Sequence, residues 1–283
     1  MAIGRTREIA GAQVPTFIYG TAWKEERTAG LVTQALKAGF RGIDTANQRR
    51  HYHEAEVGRA LLAAIADETV RREDVFVQTK FTFLPAQDRR VPYDPAAPIG
   101  QQVAQSFQSS LSHLGVEWID SYLLHGPSQP WGLSAADIEA WRAMETLHDA
   151  GKSQFLGVSN VAPEQLATLL QRARVRPTFV QNRCYASLGW DAAVRAICDR
   201  EGLVYQGFSL LTANADIIRR SVIQDIARRH QRTSTQVVFR FALQVGMIPL
   251  TGTTNPRHMA DDLAVYEFEL TAAEVNAIER IGT

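Results

Sequence analysis

Net charge is the first thing this sequence lacks. Thirty lysines and arginines against thirty aspartates and glutamates leave a formal charge of zero over 283 residues, with a pI near 7.1. Without a basic excess there is no counterion release to drive binding, so nucleic acid is not an expected partner. Long apolar runs are missing too. No stretch approaches the roughly 20 residues that cross a bilayer, and the opening MAIGRTREIAGAQ carries charges where a secretory leader needs an apolar block. The expectation is a cytoplasmic protein with no membrane partner. Cysteine is scarce: Cys184 and Cys198 have no metal-ligand or redox spacing, so no metal site is expected. Both fall on otherwise apolar faces and read as packing thiols. What the chain does have is apolar residues, 45% of the total, enough to bury a large core.

Those apolar residues are arranged in a repeating order of short strand, polar turn and amphipathic helix. Strands are expected at 16–19, up to 43, and at 74–80, 118–124, 154–158, 178–182, 203–207 and 247–250. Helices follow them, with Gly39 and Gly202 as C-terminal stops, Pro163 in a first turn, Asp191 as a cap, and capping boxes at Ser134/Asp137 and Thr271/Glu274. About eight such units, each the size of a βαβ crossover, imply parallel strands covered on both faces. The fold class expected is α/β, a (β/α)8 TIM barrel forming a single domain over 1–283. The open doubly wound sheet is the rival, but no Gly-x-Gly-x-x-Gly follows the first strand. One connection, 81–98, is too long for a plain linker and is a candidate lid or pocket wall.

In a barrel of this kind the C-terminal strand ends share one face. Asp44, Lys80 and His125 end the second, third and fourth strands, and Tyr52 lies in the loop after the second. Ser159, Asn160 and Gln181 end the fifth and sixth. Each residue also has a plain reading. Asp44 or His125 can cap a turn, Lys80 can be solvated, Tyr52 can be a half-buried ring and Asn160 can cap a helix. Their shared location at one end of successive strands favours a site.

The segments GIDTA and HYHEAEVG, FVQTKF, DSYLLHGP, GVSN, VQNR and TGTTNPRHM, in this order across nearly the whole chain, resemble the aldo-keto reductases. The resemblance implies a barrel that binds a nicotinamide cofactor in an extended conformation and a catalytic set of Asp44, Tyr52, Lys80 and His125. It implies that Ser159, Asn160 and Gln181 hold the carboxamide and that Phe208 stacks on the ring. Thr21, Ala22, Asp44, Ser209, Leu210, Gly252, Thr253, Thr254, Arg257, His258, Asp261 and Asp262 complete the cofactor site, and Trp23, His51 and Phe81 line the substrate pocket. Two departures stand out. Counting back from Gly58 puts His51 where relatives carry the tyrosine, with Tyr52 one residue later. Gly252 replaces a lysine common in the adenosine-phosphate loop.

The chemistry fits the transfer. Reduction of a carbonyl leaves an alkoxide that needs a proton. A phenol, with a pKa of about 10 when free, is expected to become a better acid beside the Lys80 ammonium, which Asp44 holds in place. His125 would donate to the carbonyl oxygen. The function expected is NADPH-dependent reduction of an aldehyde or ketone by a monomer or weak homo-oligomer, with a small-molecule carbonyl as partner. A Schiff-base aldolase using Lys80 and a non-catalytic NADPH-binding regulatory subunit are the alternatives.

Overall fold

The computed structural model describes residues 3–282; Met1, Ala2 and Thr283 of the expected span lie outside the described residues. The chain opens with an antiparallel hairpin, β1 (Thr6–Ile9) and β2 (Ala12–Pro15). It then runs through β3 (Ile18–Gly20), β4 (Gly42–Asp44), β5 (Phe76–Phe81), β6 (Ile119–Leu124), β7 (Ser153–Ser159), β8 (Phe179–Arg183), β9 (Val204–Phe208) and β10 (Ile248–Thr251). These eight strands pair in parallel and close in the order β10-β3-β4-β5-β6-β7-β8-β9. The protein is a TIM barrel, as its alternation of strand and helix predicts.

The helices α1 (Thr28–Ala38), α2 (Glu54–Ala66), α3 (Ile99–Leu114), α4 (Ala135–Asp149), α5 (Pro163–Arg172) and α6 (Ala192–Glu201) follow strands β3 to β8 in turn. After β9 come α7 (Ala215–Ile218), α8 (Ser221–His230) and α9 (Ser234–Gln244), and after β10 come α10 (Pro256–Leu263) and α11 (Ala272–Glu279). Local chemistry sets the ends. Gly39 stops α1 at φ 110°, a conformation that costs other residues steric strain. Ser134 with Asp137 and Thr271 with Glu274 exchange both bonds of a capping box. Asp191 sits before α6 but does not cap it. Its carboxylate instead accepts from Asn182 Nδ2 and the Tyr205 hydroxyl, each at 2.9 Å.

The hairpin was not anticipated. Its two-residue turn, Ala10–Gly11, has positive φ at both positions, the geometry that lets a tight turn match strand twist. Ile9, Ala12 and Val14 from the hairpin pack on Ile18, Phe76, Phe155, Phe179, Val204 and Ile248, the apolar layer at the strand starts. The barrel is thereby closed at its base. Cys184 and Cys198 are buried and unpaired within the outer core. Among the described residues no helix is long and apolar enough to cross a membrane.

Candidate active site

Strand alternation decides which side chains reach the mouth. On β5 it sends Gln78 and Lys80 inward and Phe81 outward. Phe81 is fully buried, with ring centroids 5.1 Å from Phe83 and 5.6 Å from Tyr93. The expectation that Phe81 lines the substrate pocket is therefore corrected: it anchors the core beneath the long loop. That loop does form a wall. Tyr93 donates its hydroxyl to the Thr82 carbonyl at 2.8 Å and Gln87 its amide to the Asn47 carbonyl at 2.9 Å. So tethered, the loop borders a cavity of about 390 Å3 with Tyr52, Arg90, Val91, Pro92 and His113 in its lining.

Asp44 and Lys80 form a buried pair, Nζ to Oδ1 2.5 Å, and Lys80 also donates to the Thr45 carbonyl at 2.8 Å. Burial lowers the Lys80 pKa, and the Asp44 carboxylate opposes that shift without reversing it. Two charges removed from water persist only with such close pairing. The ammonium lies 5.4 Å from the centroid of the Tyr52 ring, and that ring meets His125 edge-on at 5.8 Å. His51 is directed elsewhere. Its ring stacks on the exposed Trp23 at 4.0 Å, and its carbonyl accepts from the Trp23 N–H at 2.7 Å. The backbone N–H groups of His51 and Tyr52 both reach the Gln48 carbonyl, at 3.2 and 3.0 Å. This tightened turn absorbs the extra residue and brings position 52, rather than 51, alongside Lys80.

The acidity of Tyr52 departs from the expected direction. Burial first, and the Asp44 carboxylate second, raise the phenol above its ordinary value, while Arg183 pulls it down. Tyr52 consequently keeps its proton at neutral pH and is a loaded donor.

His125 places Nδ1 2.6 Å from the Thr82 hydroxyl, which leaves Nε2 as the nitrogen able to face a ligand. Burial, reinforced by the charges of Lys80 and His51, lowers its pKa to about 3. The ring is therefore neutral over the working range. An unfolded histidine protonates near about 6.5, so between these two values the unfolded chain binds the extra proton and stability falls as pH falls. The urea midpoint should drop between pH 7 and pH 4.5 by more in the wild type than in His125→Gln. Equal losses would place the acid sensitivity elsewhere.

On the opposite side of the mouth, Ser159 and Gln181 are register partners on β7 and β8. Asn160, at φ 53°, gives its amide to the His125 carbonyl at 2.8 Å and to Ser159 Oγ at 3.1 Å. Ser209 (φ 57°) and Trp23 (φ 61°) are likewise held in the left-handed region, a strain that concentrates at functional sites. Phe208 is half-buried, with the Arg183 guanidinium 5.5 Å over its ring. Thr21 is buried and donates to the Asp44 carbonyl at 2.9 Å, with Ala22 half-buried beside it. The Leu210 side chain belongs to the core, which leaves only its backbone for a ligand.

In the turn at 252–255 the Thr253 carbonyl accepts from Tyr19 at 2.9 Å, and Asn255 caps α10 by accepting from the Arg257 N–H, also at 2.9 Å. Thr254, Arg257 and His258 are exposed and Asp261 is half-buried. Asp262 is turned inward onto the Thr251 hydroxyl at 2.7 Å, and burial raises it to about 7. Its side chain is committed within the fold and is not offered at the surface.

Four polar residues of the site were not singled out in the sequence. Gln78 and Gln206 lie inside the barrel at full burial, and Arg183 ends β8. Lys24 is 8% exposed and donates to the Gly252 carbonyl; a Cβ built on Gly252 would stand 3.3 Å from its ammonium. The loop after β3 thus delivers a cation to the position where relatives were expected to carry a lysine. A glutamine at an inward position of an apolar strand was the available signal for Gln78 and Gln206.

The sequence pattern of the Aldo/keto reductase family matches residues 16–283. The chain belongs to the aldo/keto reductase family. Among curated relatives of this aldo/keto reductase, an aldo-keto reductase of Mycolicibacterium smegmatis is 32% identical over 258 residues, covering 91% of this chain and 86% of the relative. An uncharacterized oxidoreductase of Bacillus subtilis, YtbE, is 29% identical over 275 residues, covering 96% and 90%. Among solved structures, a Bombyx mori aldo-keto reductase in complex with NADP superimposes with a TM-score of 0.83 at 24% identity, covering 98% of this chain and 92% of that one. The aldo/keto reductase described here is accordingly an oxidoreductase.

Proposed function

We propose that this enzyme reduces an aldehyde or ketone with NADPH, using Tyr52 as the proton donor. The observation that carries the reading is the meeting of a half-buried phenol, a neutral imidazole and the buried Asp44–Lys80 pair within one barrel mouth. The donor set facing them fits a nicotinamide. Gln181 Oε1 has no hydrogen bond within the described residues, and Ser159 and Asn160 stand beside it with hydroxyl and amide groups suited to a carboxamide. The Bombyx mori relative, solved with NADP, supports the choice of cofactor. When bound, that cofactor supplies the hydride. The chain's own residues then handle charge and proton: His125 donates from Nε2 to the carbonyl oxygen as negative charge grows there, and Tyr52 hands over its hydroxyl proton. Lys80 stabilises the phenolate left behind, and Asp44 keeps Lys80 in place.

Lys80 is fully buried and its ammonium donates to Asp44 and Thr45, a poor arrangement for attacking a carbonyl carbon as an aldolase would. A carbonyl panel followed by NADPH and NADH absorbance tests the proposal. Cofactor binding without carbonyl-dependent oxidation would replace it with the regulatory-subunit reading.

NADPH should be preferred over NADH because Arg257, exposed in the first turn of α10 beside Thr253, Thr254 and His258, offers a guanidinium fork to a 2′-phosphate. Arg257→Ala should raise the KM for NADPH about three- to tenfold, the scale of one solvent-exposed charged hydrogen bond, and leave the KM for NADH nearly unchanged. Equal effects on both cofactors would remove the residue from this role.

A further inference from the structure

Three glutamines meet inside the barrel directly below the mouth. Gln78 and Gln181 each donate from Nε2 to the same oxygen of Asp44, at 2.8 and 3.0 Å, and to the same oxygen of Gln206, at 2.8 and 2.9 Å. Gln206 Nε2 returns to Gln78 Oε1 at 3.1 Å. None of the three is more than 3% exposed.

The direction of every amide in this ring follows from one member. A carboxylate can only accept, so Gln78 and Gln181 must both turn an N–H toward Asp44. Each nitrogen has a second hydrogen, and the two converge on Gln206, which must therefore present its oxygen. Its nitrogen is left to meet the Gln78 oxygen. Reversing any single amide sets oxygen against oxygen or nitrogen against nitrogen in a buried place, where an unmet polar group costs most. Gln181 has both hydrogens engaged below, and its one free polar atom is Oε1.

We propose that Gln78 and Gln206 are positioning residues that lock the Gln181 amide, so that the mouth reads the cofactor's carboxamide by accepting its N–H. The inference rests on the reading of this mouth as a nicotinamide site. Neither glutamine touches the ring; both act through Gln181. The lock gives the site a polarity. Asn160 uses both amide hydrogens on the His125 carbonyl and Ser159 Oγ, so a pyridine bearing an acetyl group in place of the carboxamide keeps the carbonyl that the Ser159 hydroxyl can bind but opposes a methyl group to Gln181 Oε1. With Gln206 or Gln78 replaced by an apolar side chain, Asp44 still draws the Gln181 nitrogen downward, but the ring that fixes the plane of the amide is broken and Oε1 is aimed less sharply at the carboxamide.

The test is binding, not turnover. Dissociation constants for NADP+ and for its 3-acetylpyridine analogue are measured by quenching of tryptophan fluorescence in the wild type, Gln206→Met and Gln78→Leu. The wild type should prefer NADP+ by about tenfold, the scale of one buried hydrogen bond, and the preference should shrink at least threefold in each folded variant. Either variant suffices if the other fails to fold. An unchanged preference in a folded variant, or none in the wild type, overturns the positioning role while leaving NADP+ binding, and with it the proposed function, intact. Failure of the wild type to bind either dinucleotide overturns both, and is told apart by that fact.

Discussion

Tyr52→Phe should lower kcat by about two orders of magnitude or more, with the dissociation constant for NADPH near the wild-type value. The phenol keeps its proton at neutral pH and, among the described residues, has its hydroxyl free for a ligand, whereas His125, with its pKa lowered to about 3, carries no extra proton there and the Lys80 ammonium is engaged with Asp44 and the Thr45 carbonyl. Removing one oxygen deletes that donor and leaves the ring in place against His125 and Lys80. His51→Gln should change kcat by less than about threefold, because its ring stacks on Trp23 at the rim. Single-turnover kinetics with saturating cofactor separates the chemical step from binding. If His51→Gln were the crippled variant, the acid would be His51, and full activity in both would take the proton away from this loop.

The second large effect concerns packing. Gly58 lies on the face of α2 pressed against the end of α3, where a Cβ would stand 2.0 Å from the His113 carbonyl oxygen and 2.7 Å from Leu114 Cα. Both atoms are backbone, so no rotamer change can make room. Gly58→Ala must push two helices apart, and it disturbs Glu54, which is buried between the Thr79 hydroxyl at 2.5 Å and His113 at 3.0 Å. A cost of about 3 kcal/mol is expected for overpacking against rigid backbone, or a fall in Tm of about 5 °C for a chain of this size. Thermal unfolding followed by circular dichroism measures it. A variant melting within about 2 °C of the wild type would show that the helices can separate cheaply.

The barrel and the mouth's inward-facing carboxylate, ammonium and imidazole were legible because they follow from periodicity: strands recur at fixed spacing, and polar residues at their ends share one face. Parity also contained information that went unused. With Lys80 inward, Phe81 had to face out, and the same counting places Gln78, Gln181, Arg183 and Gln206 on the inside. The choice between His51 and Tyr52 is of another kind. It depends on a turn in which two N–H groups share the Gln48 carbonyl, and no spacing rule announces that. The burial that raises the phenol is likewise not announced by spacing. The N-terminal hairpin was overlooked because its strands are four residues each, too short to stand out from a polar leader.

That hairpin divides the labour of the molecule. Where Ile9, Ala12 and Val14 were lifted away, Ile18, Phe76, Phe155, Phe179, Val204 and Ile248 would meet water, and uncovering apolar surface weakens a fold. The groups of the mouth stand at the other ends of the strands. Damage to the hairpin is therefore felt in melting temperature and not in turnover chemistry, so the enzyme's durability and its reactivity can be altered from opposite ends of one barrel.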